Sequence, residues 1–153
     1  MLEQPARFVS LLCPGLAAGI ALCIFFAERV GTDDARFYTQ LMQMLSRALS
    51  FPAVVLGAVG LVAMVTDATL LYRRGGGVGL WLAAIAVALT IGALALTKLG
   101  HFPINDRILG WAAMNPPADW QTVQSRWSTL HVARTICACF AFALLVLSNV
   151  LRG

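Results

Sequence analysis

The chain has 153 residues, of which 59% are hydrophobic and 12% charged, with a mean hydropathy of +0.80. A soluble domain of this size carries roughly 25% charged residues, so the chain lacks the charge to cover a water-facing surface and calls for a membrane as solvent. The formal net charge of +4 rests on scattered arginines rather than a basic run, which points to interfacial arginines and away from nucleic-acid binding.

The four cysteines do not form a disulfide framework. Cys13, Cys23, Cys137 and Cys139 lie inside apolar runs, where a thiol behaves as a small hydrophobe. Cys137 and Cys139 are two apart on a predicted helix and point to different faces. No CxxC or Cys/His zinc spacing occurs, so no metal site is expected.

In chain order, residues 8–27 are an uncharged apolar run, long enough to cross the roughly 30 Å hydrocarbon core as a helix. The run is long for a secretory signal, so an uncleaved span is the expectation. Pro14 falls near its start, where proline is tolerated. Gly15 and Gly19 have the small-xxx-small spacing that lets another helix approach. Glu28 and Arg29 close the span. Thr32, Asp33 and Asp34 then supply N-cap oxygens for a second helix. Its first turns are amphipathic, with Phe37, Leu41, Met44, Leu45 and Leu49 set against Gln40, Gln43 and Arg47. The second span is 51–72, with Pro52 expected to kink the helix where it enters the membrane.

Asp67 is the one acid well inside an apolar run, and Arg73 and Arg74 stand close enough to pair with it at the interface. Gly75, Gly76 and Gly77 form a turn, followed by a third span over 78–97 with Trp81 as its interface anchor. Residues 98–131 form a polar segment, read as an extended lid from Phe102 to Pro117 followed by the front of a fourth helix capped by Asp119. That helix runs to about residue 151 and crosses the membrane over 132–151. Its roughly 48 Å length at 1.5 Å per residue exceeds the bilayer.

The expected fold is therefore all-α: one four-span domain over 1–153, an integral membrane four-helix bundle. Helices two and four extend beyond the bilayer on one side. Both termini and the Gly-rich turn share the opposite side. Arg7, Arg73, Arg74 and Arg152 crowd the short terminal-side segments, and acids interleave the basic residues of the loop side. The charge pattern does not decide orientation. The Arg73–Arg74 turn leans towards termini in the cytoplasm, in a plasma (inner) membrane.

The chemistry concentrates between His101 and Arg134, which holds both histidines and three of the four tryptophans. Trp120, Gln124, Trp127, His131 and Arg134 recur at spacings of four, three, four and three on one helix face. Glu28, Arg47, Lys98, His101, Asn105 and Asp106 come to the same side of the membrane from other elements. Such a bundle end forms a pocket with an apolar floor and a polar rim. The bland alternative is an interfacial belt in which Trp and Arg merely snorkel.

The run Pro103-Ile104-Asn105-Asp106-Arg107, then Trp111, then Pro117-x-Asp119-Trp120, then Trp127-x-x-x-His131-x-x-Arg134 resembles the anthrone oxygenase-like family of small four-helix membrane proteins. The likeness is strongest over 97–140 and weaker over 16–56. There this chain has Ser46 where the family often has Asn, and it lacks a proline after the first span. The resemblance implies oxidation of a lipophilic polyphenolic substrate of anthrone type by O₂. An electron-rich anthranolate passes an electron to O₂ directly, so no cofactor is required. The protein supplies a base and an oxyanion site. His131 is the expected base, Arg134 and Asn105 the expected oxyanion holders, and Trp127 with Trp120 the stacking surface. Gln43, Arg47 and His101 complete the expected substrate contacts. Two alternatives stay open. One is a haem bound by His131, with or without His101, and paired through Arg134 or Arg47. The other is a non-enzymatic membrane partner or small-molecule binder. Self-association into a homo-oligomer stays open under every reading.

Overall fold

The computed structural model describes residues 3–30 and 33–151. Its elements are α1 (Glu3–Ala27), α2 (Ala35–Arg73), α3 (Val78–Leu96), a π-helical turn at Thr97–His101, α4 (Phe102–Leu109) and α5 (Trp120–Val150). Among the described residues four helical rods are long and apolar enough to cross a membrane, the third running unbroken from Val78 to Leu109. The rods form an antiparallel ring in which α1 packs on α2 and α5, and α3 on α2 and α5, while α4 leans on α2. This is the all-α membrane bundle that the sequence leads one to expect.

Small residues let the rods approach. A side chain at Gly60 of α2 would stand 3.2 Å from Cys13 Cβ and Pro14 Cδ of α1, and one at Gly15 would stand 2.9 Å from the Phe142 ring. Gly19, expected to share that role, faces open space. Pro14 lies in the interior of α1 because the helix begins at Glu3; the polar first turn continues the apolar run without a break. Asp34 caps α2 as expected, its carboxylate accepting from Arg36 N at 2.8 Å and Phe37 N at 3.1 Å. Thr32, also expected to cap, lies outside the described residues.

The largest correction concerns residues 98–117. They hold no extended lid over Phe102–Leu109, because the third rod continues through the π-turn into α4. Pro103 is accommodated in the first turn of α4, where a missing N–H costs little. Phe102 N donates to Thr97 O, five residues back, which widens the turn just before the proline ring. Ile104 and Ile108, one turn apart, are buried against Tyr38, Met42, Val123 and Trp127. The helix is thus held by the apolar i, i+4 pair that its Pro and Gly neighbours obscure. Asp119 does precede α5, but its side chain makes no capping bond; it accepts from Arg107 at 2.6 Å on the surface.

Candidate functional site

The loop-side end of the bundle gathers one compact cluster. The face predicted on α5 places Trp127 and His131 in the core, at 3% and 0% exposure. Their rings stack with centroids 4.7 Å apart and planes 21° apart. His101, delivered by the π-turn of the third rod, meets both edge-on, at 5.2 Å from Trp127 and 5.9 Å from His131. Asn105 stands one turn further on, and its Oδ1 accepts from Trp127 Nε1 at 2.7 Å. That bond fixes the indole and leaves the Asn105 amide nitrogen as a donor.

The His131 bonds define its tautomer. Its Nε2 lies 3.0 Å from the carbonyl of Ala21 on α1, and a carbonyl only accepts, so Nε2 carries the hydrogen. Its Nδ1 lies 2.7 Å from Arg134 Nη2, and a guanidinium only donates, so Nδ1 accepts. Neutral His131 is therefore a bracket between the α1 backbone and Arg134. Thr135 Oγ1 stands 3.5 Å from Nε2. The guanidinium so positioned keeps its Nε buried and without a partner.

Two chambers meet at Arg134. The deeper holds about 80 Å³ and is walled by Pro14, Ala17, Ala21, Gly57, Leu94 and Ala138 among others. The shallower holds about 40 Å³ and is walled by Met42, Ser46, Phe102, Asn105 and Trp127 among others. Ala53, Thr97 and Arg134 border both. Arg134 is the sole charged side chain on either wall. A cation in such apolar walls is expensive without an anionic or carbonyl guest.

Glu28 supplies the nearest carboxylate. It is 4% exposed and accepts from Ser128 Oγ at 3.0 Å, with Arg29 3.4 Å away. Burial holds its carboxyl above the usual carboxylate range, and the Ser128 hydroxyl, Arg29 and Arg134 pull it part of the way back. Glu28 borders a separate, more polar cavity with Tyr38, Gln124 and Ser128. The Tyr38 hydroxyl is buried and has no partner.

Of the residues expected at the site, His101, Asn105, Trp127, His131 and Arg134 come together. Trp120 packs on Tyr38 at 5.8 Å and borders neither chamber. Gln43 ties α2 to the end of α4, donating at 3.0 Å to the carbonyls of Ile108 and Trp111. Arg47 is exposed in an outer groove beside Gln43, and Lys98 and Asp106 also face outwards. Three contributors were not among the expected site residues, although Ser46 stands out as a departure from the family pattern. Thr97 carries no local motif, and the Ala21 carbonyl has no side-chain signal at all. Tyr38 stands next to the predicted apolar stripe and outside it.

Among the described residues no group of three His, Cys, Asp or Glu side chains gathers to hold a metal ion. A haem would find both His131 nitrogens engaged and one free nitrogen, on His101.

A membrane four-helix bundle with a histidine-bracketed arginine between two apolar chambers is the class that fold and site define. The family model described as anthrone oxygenase matches residues 40–144, and the chain belongs to that family. The match takes in His101, Asn105, Trp127, His131 and Arg134 and stops short of Glu28 and Tyr38. No curated protein and no solved structure matches the chain.

Proposed function

We propose that the protein oxidises a lipophilic phenolic substrate of anthrone type with O₂, without a bound cofactor, in the chambers around Arg134. The observation that carries this reading is the Arg134 guanidinium, aimed by His131 and left with an unpartnered Nε among apolar walls. An anthrone becomes reactive to O₂ when it loses a methylene proton and its carbonyl oxygen takes the negative charge. A pre-aimed cation in a low-dielectric cavity favours that anion over the neutral ketone. Asn105, whose amide nitrogen remains a donor, is the second oxyanion group, and Trp127 is the flat wall for the ring system. One O₂ is consumed and one quinone and one water are formed: the methylene loses both hydrogens and gains a carbonyl oxygen.

The chambers are small for a tricyclic guest, so binding parts α2 from the third rod, and reclosure excludes water. The substrate arrives laterally from the bilayer. We place the protein in the plasma (inner) membrane with both termini in the cytoplasm, on the Arg73–Arg74 turn.

The test is anthrone-dependent O₂ uptake by the detergent-purified chain, with one quinone formed per O₂. Arg134→Met should lower turnover about 10²–10³-fold, the usual loss on removing an oxyanion donor. A wild type that does not exceed the protein-free rate refutes the reading.

A further inference from the structure

The reaction needs a base, and the geometry of the two histidines chooses between them. His131 spends both ring nitrogens on the Ala21 carbonyl and on Arg134. His101 is bonded in the opposite sense. Its Nδ1 lies 3.2 Å from the carbonyl of Leu96; because that oxygen only accepts, Nδ1 carries the hydrogen and Nε2 carries the lone pair. That Nε2 is buried and has no partner in the protein, on a residue 1% exposed. An uncommitted buried lone pair costs free energy that a merely structural histidine avoids.

The turn that carries His101 is built for this placement. A π-helical turn inside a long helix is itself frequent at functional sites. Here it sets the Leu96 carbonyl five residues back beneath the imidazole. A Cβ at the adjacent Gly100 would stand 2.9 Å from Leu130 of α5, so the absence of a side chain lets the turn lie against that helix. The imidazole is thereby wedged edge-on to Trp127 and His131. His101 itself lines neither chamber. Thr97, Phe102, Trp127 and Arg134 around it all border the shallower one, so Nε2 is reached when a guest parts the helices there.

We propose that His101 Nε2 is the base that removes the methylene proton, and that His131 is a positioning residue for Arg134. The assignment rests on the anthrone-type reading above. The C–H bond breaks, its electron pair enters the ring system, and the negative charge settles on the oxygen held by Arg134. The proton goes to His101 Nε2, while Nδ1–H keeps its bond to Leu96. O₂ then takes one electron from the anion and recombines with it as a peroxide, which recovers the proton from His101. Loss of the second methylene hydrogen with O–O cleavage gives quinone and water and leaves His101 neutral.

Proton removal precedes O₂, so it can be read alone. The full chain in detergent and D₂O, kept free of O₂, is given anthrone; methylene H/D exchange is followed by NMR and anthrone binding by absorbance. His101→Gln should slow exchange at least about 10²-fold, the usual contribution of a general base, with affinity changed no more than a few-fold. His131→Gln should weaken binding instead. In His101→Ala, substituted imidazoles should restore exchange in the order of their basicity, which repair of packing alone would not produce. Full exchange in His101→Gln, or exchange lost in His131→Gln at unchanged affinity, overturns the assignment while leaving the oxidation intact. A wild type that neither exchanges nor consumes O₂ removes both.

Discussion

The two ends of the bundle solve the same problem in opposite ways. Each holds an arginine against polar side chains at one end of the rods, Arg7 exposed and Arg134 half-buried. At the terminal end Arg7 donates through Nε to Asn149 Oδ1 and through Nη2 to the Asn149 carbonyl at 3.0 Å. Asn149 Nδ2 donates to Leu145 O at 2.8 Å, and Ser148 Oγ to Gly79 O at 2.7 Å. Asp67, 2% exposed, stands on the wall of the cavity shared with Arg7 and Arg74. At the loop end Arg134, His101 and Tyr38 each keep a buried polar atom without a partner, and these three are all such atoms among the described residues. Leaving a buried polar group unpaired costs roughly 1–3 kcal/mol. Among the described residues the terminal knot leaves no buried polar side-chain atom without a partner, whereas the loop-side cluster leaves three.

The contrast sets an order of effects. Asn149→Ala should cost about 1–2 kcal/mol by removing the side-chain bonds of buried Asn149 to Arg7 and to the Leu145 carbonyl, read as a lower thermal midpoint in detergent, with O₂ uptake intact below that midpoint. Loss of activity in a folded Asn149→Ala protein would break the division of labour.

A smaller effect should appear at Glu28, on the edge of the loop-side cluster. Burial raises its carboxyl above the ordinary value of 4.5, so the folded state holds that proton more tightly than the unfolded chain does. Its favourable contribution is fully present below the ordinary value and is lost as pH rises through the raised one. Glu28→Gln should therefore unfold at a higher temperature than wild type at neutral pH. The gap should close at about pH 4 and below. An equal gap at both pH values would mean that ionisation is not its cause.

The smallest effect belongs to the exposed Arg107–Asp119 pair. Asp119→Asn should shift stability by no more than about 1 kcal/mol, because Asp119 makes no capping bond for α5. A larger loss would restore it as a cap.

What the sequence revealed of these two ends differs in kind. The spans were legible because apolar runs of membrane length leave little choice. The α5 face was legible because Trp127, His131 and Arg134 recur at helical spacing. The α4 helix was not, since Pro103 and Gly100 read as breakers while the register shift that admits them is a property of the π-turn. The terminal knot was hidden too: Arg7 and Asn149 are 142 residues apart, and no local pattern joins them. Neither could the sequence say which histidine keeps a free nitrogen. That depends on the Ala21 and Leu96 carbonyls, which every residue type supplies alike.

On the proposed function, the loop end receives an oxyanion and the terminal end does not. The direct measurement is an O₂-free absorbance titration of anthrone with wild type, Arg134→Met and Asn149→Ala. Wild type and Asn149→Ala should both draw out the spectrum of bound anthranolate, and Arg134→Met should leave the neutral ketone. An anthranolate spectrum that persists in Arg134→Met, or that is missing from wild type, would contradict the account.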